Sequence, residues 1–303
     1  MPERTQTQGA GLSRMTTYRR PSRLRTLFIL ARVSNVPTVW SNCLAGWWLG
    51  GGGPWSQLIL VCFAMSLIYS GGMFLNDAFD ANFDRQNRRS RPIPSGAIAE
   101  QDVWQWGFLL LAVGAAGLIW LGTTAAILTV LLTGAILFYN LVHKVSDASP
   151  VLLGICRLLV YLIAAGAARN GITGYVLWCG LALASYVMGL SWLARKEIWR
   201  GPAPYWPGIF LVAPLVLAGL TDDGADLPTG NVLLLVLLVW MLWAVRHAFW
   251  RDEPKVGYAV ARLLAGITLV DLLAVADLTQ PMVTLFVILF VMALLLQRYV
   301  PAT

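Results

Sequence analysis

Apolar runs of about twenty residues recur along the whole chain, broken by short stretches of glycine, proline and charge. Each run is long enough to cross roughly 30 Å of hydrocarbon at about 1.5 Å per residue of helix. Reading the runs against their breakers predicts ten spans, near 27–49, 55–79, 104–122, 124–141, 150–168, 174–194, 204–220, 230–249, 258–277 and 281–298. The short turns at Leu121-Gly-Thr-Thr124 and Leu278-Thr-Gln-Pro281 predict two tight helical hairpins. The pattern is that of an all-α, polytopic transmembrane helical bundle. It divides into a basic cytoplasmic segment over residues 1–26 and a single membrane domain over 27–303.

Composition narrows the class further. Hydrophobic residues make up 58% of the chain and charged residues only 12%, with a mean hydropathy of +0.67, outside the balance of water-soluble domains. The apolar run after residue 26 is too long for a signal-peptide core and lacks a small-residue cleavage pattern, so it is expected to stay attached as the first span. The tail Val300-Pro-Ala-Thr303 carries no terminal cysteine box and implies no lipid anchor. Cys43, Cys62, Cys156 and Cys179 lie in apolar stretches without CxxC spacing, which argues for inert core thiols over a disulfide framework or zinc site.

The net charge of +7 points to a bilayer, not to nucleic acid, because the basic residues sit in short loops between spans. Arg14, Arg19, Arg20, Arg23 and Arg25 precede the first span. Arg85, Arg88, Arg89 and Arg91 follow the second; Lys144 follows the fourth; Arg195, Lys196 and Arg200 the sixth; Arg246, Arg251 and Lys255 the eighth; and Arg298 the tenth. The alternate loops hold a single arginine. The positive-inside rule then puts both termini in the cytoplasm and requires an even number of spans. The expected location is the cytoplasmic membrane of a bacterial-type cell. Charged loops after spans two and six suggest two equivalent halves.

Candidate chemistry gathers at the end of span two. At about 100° per residue, Asn76, Asp77, Asp80 and Asp84 fall within an arc of roughly 100° on one helical face and can point at a common ion. Like charges this close repel, and carboxylates near a membrane interface are costly, so the cluster asks for a divalent cation or another positive partner. Oxygen-only ligands favour a hard ion, and Mg²⁺ binds through carboxylates together with substrate phosphates. Arg88, Arg89 and Arg91, with Lys144 and Arg157, supply donors for phosphate oxygens. A solvated charge run flanked by topology-setting arginines is the alternative. The interleaved Ala78, Phe79, Ala81 and Phe83 make the face amphipathic and directed, unlike a plain polar loop.

These residues resemble the UbiA superfamily of intramembrane prenyltransferases. The family's first motif, NDxxDxxxD, stands here as Asn76-Asp-Ala-Phe-Asp-Ala-Asn-Phe-Asp84. Asn87-Arg-Arg-Ser-Arg-Pro-Ile-Pro-Ser-Gly96 is similar to its NRPxxxG-type stretch with an insertion, and Arg32-Val-Ser-Asn-Val-Pro37 to its RPxN-like start. Tyr139 to Lys144 and Arg157 resemble its Tyr, Lys and Arg positions. The resemblance runs from about Thr26 to Asp277, more strongly in the first half. It implies a bundle of nine to ten helices around a central cavity, nine in the family with the tenth span an addition, and Mg²⁺-dependent transfer of a prenyl group from its diphosphate to an aromatic or lipophilic acceptor.

The resemblance also implies particular roles. Asn76, Asp80 and Asp84 would hold metal, with Asp77 in support, and Arg91, Lys144 and Arg157 would contact the diphosphate. Asn35 would lie near the acceptor, and Tyr139 would join the substrate site. Where the family has a second aspartate motif, the chain reads Ser191-Trp-Leu-Ala-Arg-Lys-Glu-Ile-Trp-Arg200. Glu197 is the remaining carboxylate there, and Arg195 and Lys196 could neutralise phosphate in place of one metal. This loop resembles the divergent, EboC-like members. A non-catalytic binding member of the same superfamily and a lipid transporter are the competing readings. The transporter is disfavoured because the charges gather at one membrane face and not near the midplane.

Three further features are open at this level. Trp192, Tyr161 and Tyr186 could shelter a carbocation in the cavity, but each taken singly reads more readily as an interfacial belt or lipid-packing residue, and none is named as catalytic. His143 and His247, without a carboxylate at ligand spacing, read as interfacial residues. Asp271, an acid inside an apolar run, is either functional or part of a polar pairing.

Overall fold

The computed structural model describes residues 22–195, 206, 208–221, 227–249, 255–275 and 280–300. Thirteen α-helices are present: α1 (Arg23–Leu30), α2 (Val36–Leu49), α3 (Trp55–Phe79), α4 (Ala81–Asn87), α5 (Glu100–Ile119), α6 (Thr123–Val142), α7 (Ser149–Gly166), α8 (Gly174–Arg195), α9 (Gly208–Leu211), α10 (Ala213–Thr221), α11 (Leu227–Phe249), α12 (Val256–Ala274) and α13 (Gln280–Tyr299), with one 3₁₀ turn at Val33–Asn35. The described residues contain no strand. Eight helices, α3, α5 to α8 and α11 to α13, are long and apolar enough to cross a membrane. Their outer faces carry exposed Phe63, Trp106, Phe108, Leu131, Phe138 and Val239, a surface that needs lipid and not water against it.

Two expected spans are broken. The run at 27–49 is interrupted between α1 and α2, where Arg32 takes a left-handed backbone at φ 45°. Pro37 has no N–H and is tolerated in the first turn of a helix, so α2 starts afresh around it. Helix α1 itself begins at Arg23, inside the basic segment placed before the first span. The run at 204–220 is divided at Val212, with Pro214 at the second position of α10 for the same reason.

Glycines let the helices of the first half approach closely. A Cβ at Gly114 of α5 would lie 2.6 Å from the Ala64 carbonyl oxygen of α3, and one at Gly71 would lie 2.8 Å from the Gly107 oxygen. Such backbone contact is how helices associate in lipid, where apolar side chains gain little by meeting one another. The main core runs through the bundle, with Leu44, Ile68, Leu132, Ile163, Leu183 and Leu263 buried in it. A second cluster of Leu30, Phe74, Ala78, Ala81, Ile93 and Val103 packs behind the end of α3. Because these alternate with Asn76, Asp77 and Asp80, their burial turns the polar face of α3 inward toward the cavity.

Candidate functional site

A cavity of about 1390 Å³ occupies the bundle. Its mouth is polar, with Arg32, Asn76, Asp77, Asp80, Arg91 and Lys144 in the wall, and deeper it becomes apolar, with Met65, Ile68, Leu132, Val160, Val187 and Ile267. The change follows from the helices themselves, since the amide and acidic residues that α3 and α6 set into the wall, Asn76, Asp77 and Asn140, lie near the ends that meet this mouth, while α7 adds Arg157 midway along its length.

All four residues of the acidic face are buried. The three aspartates are paired with basic groups in two sets. Asp77 Oδ1 accepts from Arg91 Nη1 at 2.8 Å and lies 3.7 Å from Arg32 Nη2. The same Arg91 nitrogen donates to Asp84 Oδ2 at 3.2 Å. Asp80 Oδ1 faces the other way, 3.0 Å from His143 Nε2 and 3.1 Å from Lys144 Nζ. The Lys144 ammonium also lies 3.5 Å from the centre of the Phe83 ring. Asn76 Nδ2 donates to Asn140 Oδ1 at 3.1 Å, which fixes the amide across the α3–α6 contact. Asp84 sits just behind the cavity wall at 2% exposure. No three or more His, Cys, Asp or Glu side chains among the described residues form a ready metal cluster; the carboxylates are latched to cations instead.

The helix geometry explains the split. Helix α3 ends at Phe79, and Asp80 takes the cap position before α4 restarts. Asp77 and Asp84 flank this joint and share Arg91, which the turn after α4 brings back toward them through the Arg91 N–H to Arg88 carbonyl bond.

Burial opposes ionisation of Asp80, but hydrogen bonds and charge from His143 and Lys144 outweigh it and hold its carboxyl below the ordinary carboxylate range. The native state therefore binds fewer protons at Asp80 than the unfolded chain. Its contribution to stability is complete above about pH 4, the ordinary Asp value, and is lost as pH falls through the lowered native value. In detergent melts from about pH 7 down to about pH 3, the wild type should lose more stability than a His143→Ala variant. Equal losses would disprove the pairing.

The other expected site residues are distributed as follows. Asn35 lines the cavity and donates from Nδ2 to the Tyr69 hydroxyl at 3.2 Å. Tyr139 lines it too, stacked on His143 with ring centres 5.1 Å apart. Arg195 reaches the wall at the end of α8, donating to the carbonyls of His143 and Ser146 at 3.0 and 2.9 Å and to Asp147 at 3.2 Å. Lys196 and Glu197 lie outside the described residues. Arg157 is in the wall, yet its guanidinium bonds Thr38 and Asn42 of α2 and no acidic-face residue.

One expectation is corrected. His143 is no bystander at the interface: its imidazole meets Asp80, because the cap of α6 turns it back over the cavity mouth. The sequence signal was its place beside Lys144, but the partner lies on another helix. Trp192, Tyr161 and Tyr186 do not line the cavity. Tyr161 and Tyr186 are buried in the core, with the Tyr186 hydroxyl donating to the Leu263 carbonyl at 2.9 Å, and Trp192 packs on Trp206 and Phe210. The wall aromatics are Tyr69, Phe83 and Tyr139. His247 does stay at a helix end, its Nδ1 2.8 Å from the Trp243 carbonyl oxygen.

Fold and site together define a polytopic integral membrane protein with a chamber whose mouth is rich in paired acids and bases. Residues 34–267 match the UbiA prenyltransferase family, and the chain belongs to it. Among its relatives, a digeranylgeranylglyceryl phosphate synthase from Metallosphaera sedula is 32% identical over 84 residues, 28% of this chain and 30% of that protein. A 4-hydroxybenzoate octaprenyltransferase from Pectobacterium carotovorum is 34% identical over 124 residues, 39% of this chain and 41% of the relative. The chain thus matches these relatives over well under half of their length. A UbiA homologue from Aeropyrum pernix shares the fold with a TM-score of 0.64 at 20% identity, over 82% of this chain and 98% of that one. A digeranylgeranylglyceryl phosphate synthase structure does so with a TM-score of 0.60 at 19% identity, over 85% and 98%.

Proposed function

We propose that the protein transfers a prenyl group from an allylic prenyl diphosphate to a lipophilic acceptor inside the membrane, with the acidic mouth at the cytoplasmic face of a bacterial-type cytoplasmic membrane. The broken segments at 27–49 and 204–220 are counted as the ninth and tenth crossings. The observation that carries the reading is the joining of a buried acid-and-base mouth to an apolar chamber in one cavity. A diphosphate suits the first and an isoprenoid chain the second.

Mg²⁺ fits the donors present. Asn76, Asp80 and Asp84, with Asp77 in support, offer hard oxygens, and Asp84 Oδ1 is buried without a hydrogen-bond partner. Bound there, the ion would neutralise diphosphate oxygens and ease departure of the leaving group. The chain's own basic groups do related work. Arg91 and Lys144, now held by carboxylates, are placed to exchange those partners for phosphate oxygens. Arg195 adds positive charge to the wall, and Lys196 and Glu197 follow it in the sequence. The apolar walls keep water from the allylic carbon as it gains positive charge, and Tyr69, Phe83 and Tyr139 are the aromatic rings in the wall available to shelter it.

Purified protein incubated with labelled allylic diphosphates of several lengths should release diphosphate in a Mg²⁺-dependent manner. Release that is unchanged by chelation and by Asp84→Ala would remove the enzyme reading. Saturable binding without release would favour a non-catalytic member, which the latched carboxylates make the second reading.

A further inference from the structure

Deeper in the bundle, away from the acidic mouth, a line of polar side chains joins α12, α2 and α7. Asp271 of α12 is 1% exposed. Its Oδ2 accepts hydrogen bonds from Ser41 Oγ and, at 2.7 Å, from Asn42 Nδ2. The Asn42 amide turns its Oδ1 the other way, where it accepts from Arg157 Nη1 at 2.6 Å. Thr38 completes the seat, its carbonyl 3.3 Å from Arg157 Nη1 and its hydroxyl 3.1 Å from Nη2. Thr38, Ser41 and Asn42 are fully buried, whereas Arg157 reaches the cavity wall.

We propose that Asp271 is a positioning residue for Arg157. Acting through Asn42, it holds the guanidinium against α2 so that the remaining N–H donors face the cavity and bind an anionic group of the substrate. The inference rests on the prenyl-transfer reading.

The chemistry of Asn42 is what makes the relay directional. An amide can present either its oxygen or its NH₂ to a neighbour. A carboxylate on one side and a guanidinium on the other admit one orientation, because the flipped amide would set donor against donor and acceptor against acceptor. The counter-charge is also placed at one remove. A direct Asp–Arg pair would draw the guanidinium edge-on toward the carboxylate, but the relay compensates a buried cation, which lipid-embedded protein needs, while committing only Nη1 and one N–H of Nη2 to α2 and leaving Nε outside these bonds. A staple between α2 and α12 would need no more than Ser41 and Asn42 on the carboxylate. Moreover, Asp271 Oδ1 is buried with no hydrogen-bond partner, a poor arrangement for a residue kept for stability alone.

The test is a double-mutant cycle of Asp271→Asn and Arg157→Gln in the full-length protein. It is read by prenyl-transfer kinetics, by affinity for two probes, geranylgeranyl thiodiphosphate and 4-hydroxybenzoate, and by melting temperature. Asp271→Asn alone should lower kcat/KM by roughly tenfold to a hundredfold, yet add less than about twofold in the Arg157→Gln background, since coupled residues are not additive. The probe whose affinity falls with Arg157→Gln identifies the anion, and it should fall equally with Asp271→Asn. Asn42→Leu, which cuts the relay and leaves the carboxylate, should reproduce the loss if Asp271→Asn folds poorly. Additive kinetic losses, coupling seen in melting alone, or two probes indifferent to Arg157 would overturn the proposal while leaving an active wild type. A wild type that neither transfers nor binds prenyl diphosphate would overturn the prenyl-transfer reading and this inference with it.

Discussion

Replacing Arg91 with Ala is expected to lower prenyl transfer by about a thousandfold, in line with the loss of a preorganised charge partner at a leaving group, and to destabilise the fold. One guanidinium nitrogen serves both Asp77 and Asp84, and both carboxylates are buried. Removing one partner of a buried pair strands the other charge, at a cost of about 3–5 kcal/mol. Two carboxylates would then face one another with Arg32 as the nearest remaining cation, 3.7 Å from Asp77. An added divalent ion should take over part of the lost role. Melting in detergent with and without Mg²⁺ checks this: the ion should raise the melting temperature of the variant more than that of the wild type. Equal increments would mean that the acidic face does not recruit the ion.

Asp80→Ala should be as damaging to transfer, again about a thousandfold, but far gentler on stability. Its carboxylate joins His143 and Lys144. Lys144 is a third exposed and rests on the Phe83 ring, so once released its ammonium can reach water. Because the substitution removes the buried carboxylate itself and leaves behind a cation that is partly exposed, the cost should stay near that of a surface pair, about 1 kcal/mol. The expected signature is a near-normal melting curve with lost turnover, the reverse of a folding defect. Asp80→Asn separates charge from shape: it keeps the side-chain outline, and turnover at the wild-type rate would show that the negative charge has no part in the reaction.

The acidic motif was legible because its information is local. The four polar positions at one-helix spacing from Asn76 to Asp84, with apolar residues between them, can be laid on a helical wheel without knowing what surrounds it. The crossings were legible for a related reason, since hydrocarbon thickness imposes a minimum apolar length on any helix that spans it. Pro37 and Pro214 were visible too, yet how a proline is accommodated depends on where the helix begins, and that shifted two expected spans into broken ones. His143 was misread because its partner Asp80 is sixty-three positions away along the chain, and no periodicity connects α3 with the end of α6. The place of Trp192, Tyr161 and Tyr186 outside the cavity was hidden for the same cause: composition counts rings but does not say which side of a helix faces a cavity.

By itself, the sequence determined that this chain crosses a membrane as helices and carries a carboxylate face beside arginines, since both are properties of a single helix and its immediate neighbours. Only the tertiary structure decided which acid meets which base: Arg91 between Asp77 and Asp84, His143 and Lys144 on Asp80, and Asn42 between Asp271 and Arg157. Charges in a low-dielectric interior choose partners by distance in space, and helix packing sets that distance whatever the separation along the chain.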